Sequence, residues 1–62
     1  MLVIDMSQAR RVDFVTAGLM FNVLSKLQRS GTTIQIRGAN ELINALFLAM
    51  GIGRIARIVP RR

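Results

Sequence analysis

The 62 residues predict an α/β fold with elements in the order β-α-β-α-β and a mostly parallel sheet. Three observations lead there. Leu2-Val3-Ile4 is a continuous apolar run rich in β-branched residues, as in a buried strand. Two long segments, opening near Asp13 and at Asn40, carry apolar residues at helical spacing. Between them, residues 32–37 alternate in the period of a strand. Strands separated by helices pair in parallel through right-handed crossovers.

The first strand stops at Asp5, and the polar loop Ser7–Val12 follows, carrying Arg10 and Arg11. Phe14–Arg29 then reads as a helix. Ala17, Leu19, Met20, Phe21, Val23, Leu24 and Leu27 give it a wide apolar face. Lys26 and Arg29 fall in its last turn, where cations suit the helix dipole. Asp13 and Thr16 are both acceptable N-caps, and the β-branched pair Val15-Thr16 favours the later start. Ser30-Gly31 is the stop signal.

In the second strand, Ile34 and Ile36 point one way and Thr33, Gln35 and Arg37 the other. Gly38-Ala39 closes it. Asn40 caps the next helix, with Glu41 in the first turn, where a negative charge meets the positive end of the dipole. Leu42, Ile43, Ala45, Leu46, Phe47, Ala49 and Met50 make that helix apolar nearly all round. Gly51 and Gly53 end it. Gly51-Ile52-Gly53 has a G-x-G spacing, but it follows a helix instead of opening one, so it reads as a C-cap and not as a dinucleotide fingerprint. Ile55, Ala56, Ile58 and Val59 suggest a last strand, which Pro60 ends or confines to an edge.

Composition narrows the chemistry. The chain has no Cys and no His, so disulfides, thiolate or imidazole metal sites and Ser–His or Cys–His nucleophiles are excluded. Asp5, Asp13 and Glu41 are its three acids, which leaves little for general acid–base work. No catalytic residue, metal ligand or cofactor is expected. The chain is nevertheless 52% apolar and 19% charged. A chain of this size buries only about 60% of the surface that it exposes unfolded. Helices apolar over more than half their circumference need cover that three strands and two helices do not supply, so the unit is expected to be incomplete alone. Met1, Met6, Met20 and Met50 read as gap-filling core residues.

The net charge of +6 admits an anionic partner. The nine bases, however, are scattered from Arg10 and Arg11 to Arg61 and Arg62, in runs no longer than two. Three Phe, with no Trp or Tyr, make a poor base-stacking platform. A small protein binding nucleic acid or an anionic membrane is thus a disfavoured alternative. The longest uncharged stretches, 14–25 and 42–53, fall short of a bilayer span of about 20 apolar residues. With no leader-like charge order at the N-terminus, a cytoplasmic location is expected.

The order Leu2-Val3-Ile4-Asp5, Arg11-Val12-Asp13, Ala17-Gly18-Leu19, Lys26-Leu27-Gln28-Arg29-Ser30-Gly31 and Met50-Gly51-Ile52 resembles the STAS domain. That domain is shared by sulfate transporters and bacterial anti-sigma-factor antagonists. The likeness covers nearly all of residues 1–62, but only the second half of the family's fold, without its first strands and first helix. The family's diagnostic stretch is Asp-Ser-Ser-Gly-Leu-Gly, and here the run is Asp13-Phe14-Val15-Thr16-Ala17-Gly18. Asp13 and Gly18 match. An ungapped alignment sets Phe14 and Val15 at the two serines, one of which is the family's phosphoacceptor. A gapped one sets Thr16 there, and Thr-Ala-Gly-Leu also resembles the STAS subunits of phospholipid-transport ABC systems.

The resemblance implies a non-enzymatic regulatory module that docks through Arg11, Asp13, Phe14, Val15, Thr16 and Gly18. Its partner would be an anti-sigma-factor kinase or an ABC ATPase. Bland readings stand beside it: Asp13 as a plain cap, Thr16 as a first-turn residue, and Phe14 and Val15 as packed inside. A phosphate on Thr16 would be tolerated by the helix N-terminus but would add negative charge to a partner-facing surface. Missing strands would leave an unpaired edge beside Leu2–Asp5 and a bare apolar face. Another copy or a complementing N-terminal segment would cover them.

Overall fold

The computed structural model describes residues 1–60; Arg61 and Arg62, which the sequence suggests form a solvated terminus, lie outside them. The elements are β1 (Leu2–Asp5), α1 (Phe14–Arg29), β2 (Ile34–Arg37), α2 (Glu41–Ala49), a single 3₁₀ turn (Ile52–Arg54) and β3 (Arg57–Val59). The expected β-α-β-α-β order and mixed α/β class are what is found. Both pairings are parallel and the strand order is β1-β2-β3. Leu2 stands opposite Ile34, and Ile4 opposite Ile36, which in turn faces Ile58.

Two right-handed crossovers in the same direction put both helices on one face of such a sheet. That face carries Ile34 and Ile36, buried with Ala17 and Leu24 of α1 and with Ile43 and Phe47 of α2. Ala39, Ile52 and Ala56 close the core, and Leu2, Ile4, Met20, Leu46 and Ile58 pack around it. Among the described residues, no helix covers the other face. Its rows are Val3, Gln35 and Arg57, then Asp5, Arg37 and Val59. This open face is mixed and mainly polar, so the expected bare apolar face is not the sheet itself.

The turn chemistry follows from the residues. At the end of α1, Gly31 is left-handed, its amide donates to the Gln28 carbonyl (3.1 Å), and the Thr32 amide donates to that of Leu27 (3.0 Å). This pair of bonds is the Schellman closure that favours glycine. Gly51 ends α2 in the same left-handed conformation, its amide donating to the Leu48 carbonyl, as the C-cap reading of Gly51-Ile52-Gly53 required.

Several boundaries differ from the expectations. The later helix start fails because Asp13 itself caps α1, its carboxylate accepting the Thr16 amide at 2.7 Å. A charged acceptor outweighs the small helix penalty of Val15 and Thr16. The last strand is only Arg57–Val59: Ile55 and Ala56 donate their amides to Ile52 and are spent on the 3₁₀ turn. Thr32 and Thr33 lie before β2, although the Thr33 carbonyl still accepts the Leu2 amide. β1 is an edge strand with Val3 exposed, not a fully buried one, and Met1 is exposed instead of filling the core.

Two glycine substitutions separate these effects. A β-carbon on Gly38, at φ +76°, would lie 3.1–3.2 Å from the Cβ, Cα and N of Ser7. One on Gly18 would meet only the Met50 methyl, at 3.9 Å. Gly18→Ala is expected to stabilise by about 0.5–1 kcal/mol, because a helical glycine loses entropy to no purpose. Gly38→Ala is expected to destabilise by more than about 1 kcal/mol. In thermal melts, the midpoints move in opposite directions, by several degrees each.

Candidate functional site

The candidate site is the loop 6–13 and the first turn of α1, at the C-terminal end of the strands. The loop is tied down at every few residues. The Met6 amide donates to the Arg37 carbonyl at 2.8 Å, continuing the β1–β2 ladder by one step. The Asp5 carboxylate accepts the Ser7 amide at 2.9 Å, and the Ala9 amide donates to Met6 at 3.0 Å. Ser7 sits against Gly38, where a β-carbon would lie 3.1–3.2 Å from it, a tight contact. Asn40 works in two directions: its side-chain oxygen caps α2 by accepting the Ile43 amide (2.9 Å), and its NH2 donates to the Arg10 carbonyl (3.1 Å). Ala9 and Val12 pack on the core, which leaves Arg10, Arg11 and Asp13 turned to solvent.

The expected site residues divide in two. Arg11, Asp13, Phe14, Val15 and Thr16 are all exposed and contiguous at the start of α1. Phe14 is 71% and Val15 72% exposed, so these two are not packed inside. Gly18 is half-buried on the side of Met50 and does not share that surface. The sequence reading missed a neighbour, Leu42 at the start of α2, 70% exposed. Val12, Phe14, Leu42, Leu46 and Ala49 line a shallow groove of about 480 Å³ between the two helices. The α2 pattern, apolar nearly all round, was the available signal, since a helix on one sheet face cannot bury its whole circumference.

Electrostatically the site is a capped helix N-terminus. The Thr16 amide, and secondarily its hydroxyl, hold the Asp13 carboxyl below the usual carboxylate range. Asp5 is held low as well, first by the Ser7 hydroxyl, then by its amide, with the positive charge of Arg37 adding to this. The described basic residues form small groups and not one patch: Arg37 and Arg57 lie on the open sheet face, Arg54 lines a groove with Arg57, Arg10 and Arg11 lie on the loop, and Lys26 and Arg29 at the far end of α1. Among the described residues no three of His, Cys, Asp and Glu are grouped as metal ligands, and no helix is long and apolar enough to cross a membrane.

No family model matches the chain, no curated protein matches its sequence and no solved structure matches its fold. The surface must therefore be read on its own chemistry.

Asp13 sets a pH dependence with a definite sign. A carboxyl whose folded-state pKa is depressed contributes stability above its unfolded value, and that stability is lost as pH falls through the folded value. Thermal midpoints are thus expected to fall as pH drops from about 5 toward 2. Asp13→Asn keeps an N-cap acceptor without the titrating charge, so its melting curve is expected to be flatter over the same pH range. Asp5, also held low, contributes to the slope that remains.

Proposed function

We propose that the chain is a non-enzymatic protein-interaction module whose docking face is the Arg11–Thr16 turn with the adjoining Phe14–Leu42 groove. The observation that carries this is the exposure of Phe14 and Val15, on a turn pinned by hydrogen bonds, and of Leu42 at the start of α2, each 70–72% accessible. A contiguous apolar surface on a rigid mount, rimmed by charged residues, is the make-up of a protein-binding patch. The residue inventory supports the non-enzymatic reading.

The partner class comes from the resemblance to STAS domains: a regulatory kinase of the anti-sigma-factor type or, as a second possibility, an ABC ATPase. Thr16 stands in the same first turn of α1 but on its β1 side, away from Phe14, so a phosphate on its hydroxyl would bring up to two negative charges to the margin of this face. Against an apolar or acidic partner surface, that charge would be stripped of water and would oppose binding.

Titration against a purified kinase or ABC ATPase of these classes from the same genome tests the reading. Thr16→Glu and Phe14→Ser are each expected to weaken binding at least tenfold, as loss of a central aromatic anchor does. Leu48→Ser, exposed elsewhere on α2, is expected to leave it unchanged. Unchanged affinity for both site variants rejects this docking face.

A further inference from the structure

We propose that the free edge of β1 and the apolar flank of α1 beside it form a twofold interface with a second copy of this chain. This goes beyond the docking face and does not rest on it. The Leu2 and Met6 amides donate to Thr33 and Arg37, at 2.8 Å each, so the even-numbered amides of β1 face β2. By strand alternation the N–H and C=O groups of Val3 and Asp5 face outward, along an edge carrying no Pro, Lys or Arg. The opposite edge, β3, is three residues long, starts with Arg57 and runs into Pro60, which is how a protein blunts an edge.

Above the β1 edge lies a groove of about 370 Å³ with no charged residue in its lining. Leu2 and Ile4 form its floor, and Thr16, Leu19, Val23 and Leu27 its wall. Leu19 is 62% and Val23 57% exposed, a stripe four residues apart on the helix flank that faces away from α2. An added strand would lay alternate side chains on this floor. β1 is itself such a strand, with Leu2 and Ile4 on the groove side.

The symmetry that pairs two β1 edges also matches the helices. An antiparallel β1–β1′ pair needs a dyad perpendicular to the sheet, which keeps both helical layers on the same side. Adjacent strands lie about 4.8 Å apart. With α1 seated over the β1–β2 pair, the two α1 axes fall about 10 Å apart across the dyad, the upper end of ordinary helix packing. The groove is centred near Val3 and near the middle of α1, so Val3 meets Val3 of the second copy. The antiparallel helices then set the Asp13 end of one α1 against the Arg29 end of the other, where the charges are complementary.

Sedimentation of the full chain tests this. The wild type is expected to reach twice its 6.9 kDa mass in a concentration-dependent manner. Leu19→Glu, on an exposed helix position, and Val3→Pro, which removes an outward amide, are each expected to weaken association at least tenfold. Leu48→Glu is expected to leave association intact. In this Cys-free chain, Val3→Cys is expected to form an intermolecular disulfide under mild oxidation. Residues opposite each other at a hydrogen-bonded pair stand about 5.5 Å apart, within disulfide reach. A single-chain mass at every concentration with Val3→Cys remaining reduced overturns the proposal, as it would if an extended segment of another protein took the edge. A dimer broken by Leu48→Glu but not by Leu19→Glu or Val3→Pro overturns it too.

Discussion

One constraint organises this molecule: a three-stranded parallel sheet built by two crossovers of the same hand in the same direction is covered on one face only. Parallel sheets ordinarily have helices on both faces. Here β2, in the middle, has Ile34 and Ile36 almost completely removed from water, while its Gln35 and Arg37 face the uncovered side. The chain meets the constraint by making that side polar. It supplies Gln35, Arg57, Asp5 and Arg37 there, with Val3 and Val59 as the apolar members. The core is consequently a single layer between sheet and helices, with Phe47 and Ile43 of α2 pressed against the isoleucines of β2.

With so thin a core, the reversals that hold the layer together carry weight. The three left-handed glycines stand at the C-terminal ends of α1, β2 and α2, the points where the chain must turn back across the layer. Gly38 has a further reason to be glycine, since a β-carbon there would crowd Ser7 of the neighbouring loop at 3.1–3.2 Å. Asn40, two residues on, caps α2 and holds Arg10 of that same loop. The loop 6–13 is thus fixed from β2 and α2, and the start of α1 is presented at a set angle although almost every residue on it is solvated.

Most of this was legible in the sequence, for identifiable reasons. Asn40-Glu41 and Ser30-Gly31 are local signals whose energetics need no tertiary information, and both hold. The bounds Phe14–Arg29 of α1 are those the sequence predicts; only the leaning toward a later start fails, because propensity and capping disagree at Val15-Thr16 and the charged cap prevails. Ile55 and Ala56 were misjudged because β-branched and small apolar residues serve a 3₁₀ turn as well as a strand when a left-handed glycine precedes them. The exposure of Phe14, Val15 and Leu42 could not be read from periodicity. Both helices carry more apolar surface than one sheet face can cover, and only the packing decides which side chains are left over.

Left-over apolar residues of α1 lie on two of its flanks. Phe14 faces the groove shared with α2, whereas Leu19 and Val23 face the edge of β1. Thr16 shares the capped first turn with Phe14, but its side chain lines the β1 groove. In the antiparallel pairing proposed for α1, Thr16 lies near the Leu27–Arg29 turn of the second copy. A negative charge on its hydroxyl would then meet two opposed effects there, desolvation against leucine and attraction to Arg29. Desolvation of a phosphate in an apolar seam costs more than a half-exposed ion pair returns. On these two readings, one modification would act directly on the β1 seam and at the margin of the docking face, because Thr16 lies in the turn that Asp13 caps, between the two surfaces.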